Sequence, residues 1–194
     1  LHLSYLLIAI FCLLLGGCSG SSSASRKEHS GPPRDSTPKV LTPSADGVTV
    51  YQNDLASIDA SNTSQGYVMV KYNGTNEKVK LQITCPDQSC YTYLISDRGA
   101  YDTFPLTAGN GSYALQVLEN VAGDTYTVSL AQSINVSIED EFLPFLYPNQ
   151  YVNFHTDSKA VSKGSDLAKD TYSDLDVVQN IYCLLYTSDA ADEL

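Results

Sequence analysis

Short hydrophobic runs alternate with polar residues from residue 46 to residue 140, and turn-forming residues separate one run from the next. Residues 78–84 show the pattern most clearly, because Val79, Leu81 and Ile83 alternate with polar residues. A period of two is typical of a strand that buries one face and exposes the other. The last run, residues 124–138, is expected to be two strands or one strand bent at Gln132 and Ser133. The pattern predicts strands at residues 48–51, 67–72, 78–84, 91–95, 101–106, 113–118 and 124–138.

The spacing of these strands predicts the fold class. About seven short strands with turns every eight to twelve residues are typical of a β-sandwich. We therefore predict that residues 46–140 are mainly β, an immunoglobulin- or fibronectin-III-like β-sandwich of about seven strands. Tyr113 follows the turn Gly109-Asn110-Gly111 at the start of a strand. This position is similar to that of the tyrosine in a tyrosine corner, so we predict that the Tyr113 hydroxyl caps a nearby backbone group.

The pattern changes after residue 140. Residues 142–148 are apolar and contain two prolines, whereas residues 157–169 and 174–182 place apolar side chains at helical spacing. Ser173 or Asp174 is suited to cap the second helix. That helix has few partners within the chain, so residues 141–182 are predicted to be a connector and the first helices of an incomplete α+β domain.

Residues 183–194 differ from the rest of the chain. The eleven residues from Cys183 to Glu193 resemble the translation of a transposon-end sequencing adapter. We interpret residues 183–194 as an artefact and Tyr182 as the last native residue of a truncated gene. On this interpretation Cys183 has no catalytic role.

The N-terminus carries an apolar run at residues 3–15, which is too short for a permanent membrane span and is typical of a signal peptide. Leu15-Gly16-Gly17-Cys18 follows and resembles a bacterial lipobox, in which the cysteine is acylated. A plain secretory signal with an incidental Cys18 is the alternative. We predict a signal peptide at residues 1–17, with Leu15, Gly16 and Gly17 recognised by the signal peptidase. Membrane lipid then binds through acylated Cys18, so the protein is extracytoplasmic and lipid-anchored to the bacterial cell membrane.

Composition and charge narrow the possible partners. Residues 18–45 are rich in serine, proline and glycine, which predicts a disordered tether with a reach of roughly 30 Å. The net charge is −11, from 22 acidic and 11 basic residues, and none of them lies in the first 18 positions. A mature protein this acidic repels phosphate, so no nucleic-acid partner is expected.

Cys85 and Cys90 flank a predicted four-residue hairpin loop. Facing residues beside such a loop lie close enough for a disulfide, which would contribute roughly 2 kcal/mol. Free thiols are the alternative. Two thiolates without a nearby histidine make a poor zinc site, so no metal and no cofactor are expected.

From about residue 48 to residue 182 the chain resembles the N-terminal region of bacterial cell-surface transglutaminase-like proteins. The resemblance implies that a papain-like Cys-His-Asp triad lies further downstream, and that this fragment itself has no catalytic residues. His155 lies in the connector without a cysteine partner and is expected to be a surface or packing residue. The stretches that carry the resemblance are residues 66–72, residues 110–113, the helix at 174–182 and, above all, Leu146-Tyr147-Pro148-Asn149-Gln150-Tyr151-Val152-Asn153.

The sequence thus leaves three hypotheses for function. In the first, the sandwich is an accessory domain of a surface transglutaminase-like enzyme whose catalytic part is missing. In the second, it is a non-catalytic binding module for a cell-surface or extracellular protein or glycan, with Tyr91, Tyr93 and Tyr101 as candidates for a sugar platform. In the third, it is a spacer without a ligand.

Overall fold

The computed structural model describes residues 31–96 and 98–192, with side chains described as far as Tyr186. Eight strands form two antiparallel four-stranded sheets. The first sheet has the order β1-β2-β3-β6 and the second the order β5-β4-β7-β8. The strands are β1 Val50–Gln52, β2 Ala56–Asp59, β3 Tyr67–Tyr72, β4 Val79–Thr84, β5 Cys90–Leu94, β6 Tyr101–Pro105, β7 Gly111–Ala122 and β8 Thr125–Val136.

The inward faces of the two sheets form the core of a mainly β sandwich, which confirms the predicted fold class. In β4, Val79, Leu81 and Ile83 are buried, and the polar residues between them are only partly so. In the facing sheet, Val68 and Val70 of β3 are fully buried. Full burial of one such side chain contributes about 1.5–3 kcal/mol to the free energy of folding. The apolar positions that alternate in the sequence are therefore the ones that pack the two sheets together.

Strand β2 is absent from the sequence prediction. All four of its residues are buried, so its two faces do not differ in the way that a half-exposed strand requires. Ala56 and Ile58 belong to the core, whereas Ser57 and Asp59 form hydrogen bonds with residues outside the strand, Tyr101 and Gly47. These four residues do alternate between apolar and polar, but four residues is the shortest run at which such alternation indicates a strand.

Strands β7 and β8 form a long hairpin. Its register shifts between Val117 and Leu118, where Ser129 of β8 is the extra residue. The sequence left two alternatives for residues 124–138, two strands or one bent strand, and the structure has one irregular strand there. The irregularity lies at Ser129 and not at Gln132 and Ser133.

Two helices follow the sandwich: α1 at Lys159–Ala168 and α2 at Asp174–Asp192. Ser173 caps α2, because its hydroxyl accepts a hydrogen bond from the backbone of Asp176 at 3.2 Å. The Asp176 carboxylate accepts one in return from the backbone of Ser173 at 2.9 Å. This reciprocal arrangement is a capping box and confirms Ser173 as the N-cap. No helix among the described residues has the length and hydrophobicity needed to cross a membrane.

Residues 31–46 contain no helix or strand, as expected for a tether. They are nevertheless held against the folded part of the chain from Arg34 onward. Ser44 also donates its backbone N–H to the Tyr67 hydroxyl at 3.2 Å. The prediction of a tether did not include these contacts, which join residues 34–44 to groups remote in sequence.

Candidate functional site

The predicted lipidation site, Cys18 with Leu15, Gly16 and Gly17, lies outside the described residues. The structure therefore bears on the other candidates: the two hairpin cysteines, the tyrosines, His155 and the connector after the sandwich.

The predicted disulfide between Cys85 and Cys90 is not present, and both residues are free thiols. Cys90 is paired in register with Thr84, whereas the backbone N–H of Cys85 donates to Ser89 at 2.8 Å. Neighbouring residues of a strand point to opposite faces of the sheet, so Cys85 and Cys90 face apart. The prediction failed because it treated Cys85 and Cys90 as facing residues, although the register is offset by one.

The Cys85 side chain lies in the core at 2% exposure, and this burial raises the pKa of its thiol. A buried thiol that keeps its proton is a weak nucleophile. His155 is exposed, and its backbone N–H donates to the Ser158 hydroxyl at 2.8 Å. Cys85 therefore acts as a packing residue, and His155 lies beside the first turn of α1.

Tyr113 forms the predicted tyrosine corner. Its side chain is fully buried, its hydroxyl donates to the carbonyl of Gly109 at 2.8 Å, and the hydroxyl oxygen accepts from the backbone of Ala108 at 3.1 Å. Burial raises the pKa of Tyr113 to about 12. The contact joins the start of β7 to the loop before it, which is a structural role.

The three tyrosines proposed as a sugar platform do not share a surface. Tyr91 and Tyr93 pair with Ile83 and Leu81, so they lie on the inward face of β5. Tyr101 lies on the other sheet, where its hydroxyl is 2.9 Å from that of Ser57. Tyr93 is held edge-on against Phe104 at 5.3 Å, as part of the packing. Tyr91, Tyr93 and Tyr101 are too dispersed to stack on one sugar chain.

The connector after β8 packs against the start of β3 and then against the end of β5, which is an outer strand of the second sheet. The Tyr147 ring lies 4.6 Å from that of Tyr67, and its hydroxyl donates to Gln65 at 3.2 Å. Further along, the Tyr151 ring lies 5.7 Å from that of Tyr93, and the Gln150 amide donates to the Leu94 carbonyl. The sequence indicated a proline-stiffened connector but carried no signal for the surface it covers.

The outward side of this connector is an exposed apolar patch. Phe142 and Phe145 are each 63% exposed and Leu146 is 49% exposed. Asp140 and Glu141 precede them and are also exposed. An apolar patch next to carboxylates is suited to contact with another protein surface, and we call residues 140–146 the connector patch.

Helix α2 presents a second apolar surface. Leu175, Val178 and Tyr182 are 73%, 59% and 67% exposed, although they recur at helical spacing. A helix in a finished core buries such a stripe. Most of the large hydrophobic side chains that the structure shows as exposed lie between Phe142 and Tyr186.

No protein-family model, no curated protein and no solved structure matches this chain. The geometry described above therefore carries the argument about function.

Proposed function

We propose that this chain is the N-terminal part of a lipid-anchored bacterial surface protein, and that its β-sandwich is an accessory domain for a transglutaminase-like catalytic domain. The anchor is the acylated Cys18, and the thiol enzyme would supply the acyl-transfer or protease-like activity. The sandwich would hold that enzyme away from the membrane and position it.

The observation that carries this proposal is the contrast between the sandwich and the segment after it. The sandwich has a buried core, whereas the connector and α2 expose Phe142, Phe145, Leu175 and Val178. Soluble proteins rarely leave several large apolar residues together in water unless another surface covers them. A domain that adjoins residues 142–182 would provide that cover.

The test of the enzyme hypothesis is the gene sequence beyond the codon for Tyr182. We expect the reading frame to continue into a domain with a cysteine, then a histidine, then an aspartate. The expressed full-length protein should then release ammonia from a glutamine-containing peptide or cleave it. A frame that continues without those three residues contradicts the enzyme hypothesis.

The test of the anchor is independent of the test of the enzyme. Cells that express the protein are grown with an alkyne-bearing fatty acid, and labelled protein is detected after click chemistry. We expect label on the wild-type chain and none on Cys18→Ala, with Cys12→Ala as the matched control that keeps its label. Labelling of Cys18→Ala contradicts the lipoprotein hypothesis and leaves the enzyme hypothesis standing.

A binding module remains the second candidate function, favoured by the connector patch. Because Asp140 and Glu141 flank the apolar side chains, the partner would carry apolar residues within a basic rim. This candidate requires no catalytic domain. It predicts that Phe145→Ser weakens adhesion of the anchored protein to a surface carrying that partner, whereas Val121→Ser, at an exposed position on the β7–β8 hairpin, does not.

A further inference from the structure

The segment from Arg34 to Val40 lies across the two helices, although well over a hundred residues separate them along the chain. The backbone N–H of Arg34 donates to the carbonyl of Thr171 at 2.9 Å, and its guanidinium forms an ion pair with Asp174. The Ser165 hydroxyl donates to the carbonyl of Ser36 at 2.8 Å. The segment thus contacts α1, α2 and the loop between them.

The other end of this segment is fixed to the sandwich. Asn62 donates its side-chain amide to the carbonyl of Ser44 at 3.0 Å, and the backbone of Gly47 donates to the Asp59 carboxylate at 2.7 Å. Strand β1 begins three residues later, at Val50. A single stretch of chain therefore runs from the sandwich to the helix pair and is bound at both ends.

The two helices form a unit of their own. Asn180 of α2 donates its side-chain amide to the carbonyl of Leu167 in α1 at 2.8 Å. The connector joins this unit to the sandwich on one side, through Tyr151 against Tyr93. The segment at 34–40 is a second attachment between the same two bodies.

The contacts that hold this second attachment are polar. A cavity of about 310 Å³, open to solvent, lies between the segment and the helices. The ion pair of Arg34 and Asp174 is also largely exposed to solvent. Contacts of this kind open locally at low cost in free energy, independently of the core. The cavity walls include Val40, Phe154, Val161, Ala168 and Val177.

We propose that residues 34–40 are a releasable strap that fixes the helix pair to the sandwich. When the strap is closed, the helix pair has one position, and the apolar walls of the cavity are partly covered. When it opens, the helix pair moves about the connector and those walls are exposed. The inference goes beyond the proposed function and requires neither the lipid anchor nor a catalytic domain.

Amide hydrogen exchange of the full chain in detergent tests the strap, because the Arg34 amide itself makes one of its hydrogen bonds. Arg34→Ala removes the ion pair and leaves that backbone hydrogen bond in place, and Ser165→Ala removes the contact with Ser36. We expect each change to speed exchange about two- to fivefold at residues 34–40 and 165–175, the range that an exposed ion pair or one hydrogen bond supplies.

Matched controls remove the same groups elsewhere. Lys163→Ala takes away an equal charge on the exposed side of α1, and Ser162→Ala takes away a hydroxyl on an exposed turn of the same helix. Both should exchange as the wild type does. Exchange in β4 should be unchanged in all variants and shows that the core is intact. Equal exchange in Arg34→Ala and wild type overturns the proposal, as does faster exchange in β4 together with the strap, because the segment would then not open independently.

Discussion

Cys85 and Cys90 occupy opposite faces of one sheet, although only four residues separate them. Cys85 is buried between the sheets, whereas Cys90 lies on the outer face with its sulfur 4.0 Å from the Thr84 hydroxyl. The register of β4 and β5, rather than the distance along the chain, decides whether two such thiols meet.

The first prediction concerns these thiols. Treatment of the folded protein with an alkylating reagent should modify Cys90 quickly and Cys85 only after unfolding, because Cys85 is buried and its pKa is raised. Peptide mapping by mass spectrometry gives the two rates. Cys90→Ser should lose the fast signal on the hairpin peptide. A gain of two hydrogens at Cys85 and Cys90 on reduction would show a disulfide and contradict this structure.

The second prediction concerns Tyr113. Replacement by phenylalanine removes the hydroxyl that satisfies Gly109 and Ala108, so Tyr113→Phe should lower the free energy of unfolding by about 1–3 kcal/mol at pH 8. Urea unfolding measures this difference.

The same variant has a defined pH dependence. The pKa of Tyr113 is about 12 in the folded state, above the ordinary value of 10.0. Below pH 10 the Tyr113 hydroxyl is neutral in both the folded and the unfolded state, so its contribution to stability is fully present. As the pH rises from 10 toward 12 the hydroxyl ionises mainly in the unfolded state, and the free energy of unfolding falls. The difference between wild type and Tyr113→Phe should therefore shrink between pH 9 and pH 11.5, by up to about 2 kcal/mol. A constant or growing difference contradicts the assignment.

The third prediction concerns the contact between Gly66 and the connector. Gly66 has a φ of +82°, and a Cβ there would lie 2.7 Å from Cδ of Pro144. Gly66→Ala should therefore displace the connector as well as strain the backbone. Gly47→Ala is the matched control, because Gly47 has a φ of +72° and open space around it.

We expect Gly47→Ala to cost about 1–2 kcal/mol from backbone strain alone, and Gly66→Ala to cost more. Unfolding in urea measures both, and amide exchange at residues 142–147 locates the change. If the two variants are equally stable and exchange alike, Pro144 does not pack on Gly66.

The fourth prediction concerns the start of α2. Ser173→Ala removes the hydroxyl that caps Asp176, so it should destabilise the first turn of α2 by about 1 kcal/mol. Amide exchange at residues 174–178 measures this effect. Ser162→Ala, within α1, should leave the same amides unchanged. An unaltered first turn in Ser173→Ala means that the cap contributes nothing.

Elements whose signal is local were predictable from the sequence. Strand β4 alternates between core and surface, so the spacing of Val79, Leu81 and Ile83 predicted that they are core residues. Ser173 and Tyr113 were likewise predictable, because a helix cap and a tyrosine corner each join residues a few positions apart. The mainly β class followed from the sum of such segments.

Features that depend on how two segments pair or pack were not predictable in this way. Strand β2 is buried on both faces because other parts of the chain cover Ser57 and Asp59, and its four alternating residues are too short a run to predict that burial. The offset between Cys85 and Cys90 depends on how β4 pairs with β5.

By itself, the sequence determined the strands that alternate, the helix starts and the sandwich class, because these follow from the period of neighbouring side chains. Only the tertiary structure decided the register at the hairpin, the contacts of Tyr147 and Tyr151 with the sandwich, and the strap from Arg34 to the helices. Apart from the hairpin register, those contacts join residues tens to more than a hundred positions apart. They exist only because the packed core brings their backbones together, and no local pattern in the chain encodes that distance.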